Sequence, residues 1–366
     1  MQAPLQVMGD RKCSIFPIER VAHNWAGFSS DFDVSILPLK IIDDVHVEDV
    51  PGLMQQDEFR YCREMLGTEM VKHIENFKYA TVHRFTSPIQ DPKGRRTGIR
   101  PGIARSVSIS CASTHRVFAS NPPHRATRPV HGRDVEADGT FRHFHFDHPV
   151  QYLSPLPIQA LMRVRTQDLL SLVKYAPRFI AAMEGNFWKY RMAVDMFQSG
   201  FFQETHWKLR FFMWTAALEA LFTSHTNPEH RGSFVTKERI KKLLRSSCLV
   251  YPSHELSEYD VDPKLTVGKV LDQIYCLRNH IAHGDKVPNY YFKTPVRQAI
   301  NGPVMKKDVL TEAISSIVRQ CILAILDKNL LRNFANDATA EAYFSKLGLT
   351  NALLKNKKRK RFKCPS

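Results

Sequence analysis

The sequence predicts an α+β protein of two domains: a mixed, strand-rich N-terminal domain over residues 1–155, then an all-α helical bundle over 156–335, with a C-terminal extension over 336–366. Three observations predict this. Short apolar runs broken by proline and glycine fill roughly the first 150 residues, the pattern of strands and turns. From about residue 158 apolar positions recur at helical spacing. Between the two regions Pro149, Pro155 and Pro157 crowd a short stretch that reads as a linker.

Bulk properties fit that organisation. A chain of 366 residues is long enough for two cores. A hydrophobic share of 43% and a mean hydropathy of −0.31 are ordinary for a folded soluble protein. The net charge of +16 and pI near 9.6 are not, and favour a polyanionic partner. The seven cysteines are widely spaced and form no CxxC pair, which argues against a disulfide framework and a cysteine-rich zinc module. No basic-then-apolar leader opens the chain, and no uninterrupted apolar run approaches a bilayer's thickness. The expectation is a soluble, cytoplasmic protein, or a nuclear one in a cell with a nucleus, with no membrane partner.

In the N-terminal domain the runs Val34–Leu37 and Leu39–Ile42 read as strands flanked by Pro38, Pro51 and Gly52. Arg105–Cys111 alternates Val107 and Ile109 with serines, as a half-buried strand does. One helix is predicted from Asp57 to about Lys78. Arg95, Arg96, Arg100, Arg105, Arg116, Arg125, Arg128 and Arg133 lie among turn-formers with few acids. They read either as a phosphate-contacting surface or as solvated loop arginines.

Six helices are predicted beyond the linker: Leu161–Met183, Phe187–Phe197, His206–Phe222, Thr236–Leu249, Thr266–His283 and Asp308 to about Phe334. The third is apolar almost all round, which places it at the centre of a bundle. The fourth offers Thr236 as N-cap and Glu238 with Lys242 as an (i, i+4) pair. The fifth carries a buried stripe of Val267, Val270, Leu271, Ile274, Leu277 and Ile281.

That fifth helix ends in the most informative stretch of the chain, Leu277-Arg278-Asn279-His280-Ile281-Ala282-His283-Gly284. Arginine holds a phosphate through a forked guanidinium, and histidine moves protons near neutral pH. Together they supply what a metal-free attack on an RNA phosphodiester requires. Asn279 and His283 are four apart and share a helix face. Arg278 and His283 are five apart, and their Cβ directions diverge by about 140°. Gly284 suits the position just past a helix end, with Pro288 soon after. His283 then sits where the helix dipole favours positive charge by ~0.3–1 kcal/mol.

The segment resembles the Arg-x4-6-His motif of HEPN domains, and within them the Apea-like group, where a run such as Leu-Arg-Asn-x-x-Ala-His-Gly closes the motif helix. A second match lies upstream. Trp214-Thr215-Ala216-Ala217-Leu218-Glu219-Ala220-Leu221-Phe222 is similar to the helix that precedes the motif in that group. The resemblance covers roughly residues 160 to 335. It implies a helical bundle that dimerises and brings two motif copies to one cleft, and in many members a metal-independent ribonuclease with a toxin or antiphage role. Other members only bind nucleic acid or nucleotides.

Carried over, the resemblance makes Arg278 the grip on the scissile phosphate and His283 the general acid or base. Asn279 orients the phosphate or the imidazole. The RNA 2′-hydroxyl is the nucleophile, so no cofactor is needed. The partners implied are RNA, a second copy of the chain, and an inhibitory or trigger partner. The plainer reading is that Arg278 and His283 hold a helix end or a dimer interface. His280 reads as a supporting or surface residue. Glu219 reads either as a partner of Arg278 across the bundle or as a surface carboxylate.

Two further features bear on partners. His143, His145 and Asp147 alternate with Phe144 and Phe146 and would share one strand face. They read as metal-ligand candidates or as the polar face of a half-buried strand. Lys357, Lys358, Arg359, Lys360 and Arg361 belong to a basic block with the composition of a nucleic-acid-binding arm. No glycine-rich phosphate loop, nucleophile elbow or HExxH motif occurs, which removes the common nucleotide-hydrolase, serine-hydrolase and metalloprotease readings.

Overall fold

A computed structural model describes residues 11–20, 28–31, 33–42, 45–55, 77–86, 124–125, 143–145, 150–153, 160–202, 207–224, 233–250, 264–284, 286–292, 298–299, 302–303 and 307–349. The chain is α+β. It divides into two compact units, Met1–Ala119 with Pro123–Ile180, and Ser120–Pro122 with Ala181–Ser366.

The first unit carries strands β1 (Arg11–Arg20), β2 (Phe28–Asp31), β3 (Leu39–Ile42), β4 (Val45–Asp49), β5 (Phe77–Thr86), β6 (His124–Arg125), β7 (His143–His145), β8 (Val150–Leu153) and β9 (Ala160–Arg165). Among the described residues one sheet runs β3-β4-β5-β1-β8-β7. Its neighbours pair antiparallel except β1 with β8, which run parallel. A second sheet runs β2-β9-β6, with β2 parallel to β9. A short helix, α1 (Val50–Met54), follows β4. The alternation along β4 buries Val45 and Val47 completely.

Several expectations change here. Val34–Ile36 is a single 3-10 turn, because the Asp33 side chain accepts from the Ser35 amide at 2.9 Å and caps it. Residues expected to link the domains include β8, a sheet strand, so the proline-rich stretch is only partly a connection. The two compact units join along the chain at Ile180 and Ala181, within helix α2 (Thr166–Glu184). Leu161–Arg165, expected to open that helix, is strand β9, and α2 begins where Asp168 accepts from the Arg165 amide at 3.0 Å. The helix expected from Asp57 lies outside the described residues except Phe77 and Lys78, which start β5. The strand expected over Arg105–Cys111 also lies outside them.

The second unit is built from α3 (Trp188–Phe202), α4 (Trp207–Phe222), α5 (Ser233–Leu244), α6 (Val267–Ala282), α7 (Lys307–Asp327) and α8 (Asp337–Lys346), with a two-stranded ribbon of β10 (Gln298–Ala299) and β11 (Gly302–Pro303). Helix α4 touches α3, α5, α6 and α7, as its apolar composition predicts. The burial is deeper in its second half, where Ala216 and Glu219 alone are half-buried. Leu209 and Phe212 near its start are 50% and 38% exposed.

Helix α7 is long and apolar enough to cross a membrane, but 72% of that span is buried within the fold. Its apolar character is that of a core helix packed on α3, α4, α5 and α6. It stops at Asp327 rather than near Phe334, where Asn329 turns left-handed at φ 53° and a 3-10 turn covers Leu331–Phe334. Helix α5 starts at Ser233, three residues before the expected cap, and ends before Arg245, left-handed at φ 70°. Thr236 is therefore a buried interior residue, and Glu238 pairs with Lys241 at 3.0 Å rather than with Lys242.

Helix α8 falls in the region expected to be an extension, and it is part of the unit. Asn336 and Thr339 form a capping box at its start. Phe344 is buried against Phe222 and Phe334. The fully buried Arg239 of α5 places Nη1 2.7 Å and Nη2 2.9 Å from the two Glu341 oxygens, and donates to the Phe222 carbonyl at 2.8 Å. The fully buried Lys189 of α3 reaches Asp337 and the Thr223 carbonyl, each at 2.6 Å. Two cations buried on other helices thus find their carboxylates on α8.

Candidate functional site

The arginine–histidine helix α6 is anchored at both ends by backbone. At its start Thr266 makes no side-chain cap. The amides of Val267 and Gly268 instead donate to the carbonyls of Cys248 and Ser246 at 2.8 and 3.0 Å. Leu249 and Thr266 form an antiparallel bridge. Helix α7 grips the same segment, since Ser316 Oγ and Gln320 Nε2 both donate to the Val250 carbonyl, at 2.5 and 2.7 Å. Along α6 the residues Val267, Val270, Leu271, Ile274 and Leu277 are fully buried, as the stripe predicts. Ile281 is only half-buried.

At the other end the helix closes as expected. His283 is the C-cap residue, its amide donating to the Asn279 carbonyl at 3.0 Å. Gly284 follows at φ 72°, a conformation that favours glycine. Asn279 and His283 are both exposed. Among the described residues no hydrogen bond, ion pair or ring contact engages either side chain.

Arg278 is placed differently. It is half-buried, and its Nη2 lies 3.0 Å from Glu219 Oε1 and 3.1 Å from Oε2. Glu219 stands on α4, so this ion pair joins the two helices that the sequence singled out. Arg278 Nε is buried, and among the described residues it has no hydrogen-bond partner. The guanidinium is therefore held from one edge by a carboxylate and shielded along its Nε side. Just beneath it, Tyr275 is fully buried, and burial followed by the Glu219 charge pushes its phenol well above the ordinary range.

His280 is half-buried and meets Tyr291 edge to face, ring centroids 6.3 Å apart. It supports the 3-10 turn Asn289–Tyr291 that follows the helix. Cys276, two residues before Arg278, is disulfide-bonded, while Cys248 and Cys321 are free thiols.

The remaining candidates are less well placed. His143 and His145 lie on β7 with Phe144 between them, paired with Leu153, Gln151 and Tyr152 of β8. Asp147 lies outside the described residues, within which no cluster of metal-ligating side chains occurs. Of the loop arginines, Arg125 falls in β6 and the others lie outside the described residues, as do Lys357, Lys358, Arg359, Lys360 and Arg361. Sequence reasoning left Glu219 undecided, because a glutamate on an apolar helix gives no hint of its partner 59 residues on. No protein-family profile, curated protein or solved structure matches this chain.

Proposed function

We propose that the chain is a metal-independent endoribonuclease of the HEPN type, working as a homodimer in the cytoplasm, with a toxin or antiphage role. One observation carries the reading. Arg278 and His283 stand at one capped helix end, the arginine steadied by Glu219 and the imidazole open to solvent. In the reaction the RNA 2′-oxygen attacks the adjacent phosphorus and the bond to the 5′-oxygen breaks, leaving a cyclic phosphate and a 5′-hydroxyl. His283 takes the 2′ proton or returns one to the leaving oxygen. Arg278 stabilises the charge that builds on the phosphorane. Asn279, on the face of His283, orients the phosphate or the ring. DNA lacks the 2′-hydroxyl and is bound without being cut. The N-terminal unit then recognises a trigger or positions the RNA.

The test is cleavage of single-stranded RNA in the presence of a chelator. Wild type is expected to cut, with His283→Ala and Arg278→Ala slower by about 10²- to 10⁴-fold. A wild type that cuts no RNA, or variants that cut as well as it does, removes the reading. The second reading is a non-catalytic RNA-binding or sensor protein, and the Arg278–Glu219 pair favours it, since an arginine already neutralised can be structural. That reading predicts RNA binding that survives both substitutions and weakens steeply with salt.

A further inference from the structure

Three side chains from three elements meet on the second unit. Trp207 opens α4, Phe292 follows the 3-10 turn after α6, and Lys307 opens α7. The two rings stand edge to face with centroids 6.0 Å apart. Lys307 Nζ lies 5.2 Å from the centre of the indole and 5.7 Å from that of the phenyl ring, and pairs with Asp308 Oδ1 at 2.8 Å. Phe292 is 47% exposed, while its neighbour Tyr291 is 1% exposed. Tyr291 is the residue whose ring meets His280, one helical turn before His283. The exposed ring is thus fixed to the motif helix through a buried one.

We infer that Trp207, Phe292 and Lys307 form a stacking platform for an unpaired base of single-stranded RNA. The inference rests on RNA being the ligand, as proposed above, and does not depend on its being cut. An exposed aromatic face beside a cation is what proteins use to hold single strands without reading sequence, because every base offers a π face. Lys208 and Arg210 follow Trp207, and residues 207 to 212 contain no acid. Charge decides between occupants. Lys208, Arg210 and Lys307 outnumber Asp308, the acid paired with Lys307, so the local surplus is positive and draws a polyanion. Duplex RNA keeps its bases stacked inside and presents no free face.

The experiment measures fluorescence anisotropy of the full chain with a labelled 2′-O-methyl oligouridine, an abasic oligonucleotide of equal length, and a duplex. Wild type is expected to bind the oligouridine roughly tenfold or more tightly than the abasic strand or the duplex. Phe292→Ala and Phe292→Leu should lose that margin, and Phe292→Tyr should keep it. Equal affinity of wild type for oligouridine and abasic strands, a margin that survives in Phe292→Leu, or no binding at all overturns the platform. Sedimentation that shows a dimer becoming a monomer in Phe292→Leu also overturns it, and makes the surface an interface between copies. The 2′-O-methyl strand cannot be cut through its 2′-oxygen, so the two readings fail separately. Stacking without cleavage of ordinary RNA removes the proposed function alone, and cleavage without the margin removes the platform alone.

Discussion

Single positions decide how closely the helices around α6 approach. At Gly200 of α3 an added Cβ would lie 2.3 Å from Trp214 Nε1, an atom that donates to the Phe197 carbonyl at 3.0 Å. Two effects compete in Gly200→Ala. Alanine is the better helix former by about 1 kcal/mol. The overlap drives the indole off its hydrogen bond and the helices apart, at about 1–3 kcal/mol or more for overpacking a core. The clash is against a ring buried on all sides, so it wins. Thermal melts should show the variant several degrees less stable, and an unchanged or raised midpoint would mean that α3 and α4 are not packed this way. The arginine pair follows the same logic of tight placement. Glu219 lies far in sequence from Arg278, and only the fold shows that the two meet.

At the scale of elements, legibility followed locality. The limits of α6 were readable because Gly284 and Pro288 mark its end and the apolar stripe repeats without a break. The end of α5 was not, because Arg245 adopts left-handed backbone at a residue type that rarely does so, whereas Asn329 after α7 is a helix-end signal that sequence reasoning passed over. Helix α8 escaped for a different reason. It is ten residues long, buries only Ala340 and Phe344, and uses Thr339 where a capping box usually shows Glu or Gln. Its hold on the unit comes from Arg239 and Lys189, more than 100 residues upstream. Glu341→Ala leaves the Arg239 charge buried without its carboxylate and should cost about 3–5 kcal/mol in denaturant unfolding. Replacing both partners, as Arg239→Met with Glu341→Leu, should recover most of that. A loss below about 1 kcal/mol in the single variant would show that the pair is not what holds α8.

For the whole molecule buried phenols oppose alkaline ionisation, as does the buried Cys321 thiol, which burial raises well above its ordinary 9.0. Tyr190 and Tyr275 are fully buried, and burial raises both well above the ordinary value of 10.0. Below pH 10 native and unfolded chains hold these protons alike, and the stabilisation is complete. As pH rises past 10 the unfolded tyrosines ionise while the native ones cannot, so stability falls with pH. Lys189 acts in the opposite sense just below pH 10.5, since burial lowers it and the unfolded chain keeps the proton longer. Among the described residues the Tyr190 hydroxyl has no hydrogen-bond partner, so Tyr190→Phe gives up little. Its alkaline unfolding, followed by tyrosinate absorbance and circular dichroism, should move to higher pH, and a shift to lower pH would contradict the assignment.

The ion pairs of α8 also set an order of events during synthesis. Lys189 and Arg239 leave the ribosome long before Asp337 and Glu341, and neither cation can be buried until its carboxylate is present. At about 5–20 residues per second, the 102 residues between Arg239 and Glu341 take roughly 5–20 s to translate. For that interval α3, α4 and α5 cannot complete their packing. Arg278 and His283 emerge within the same interval. Arg278 and His283 are therefore translated before α8 is there to complete the packing of α3 and α5.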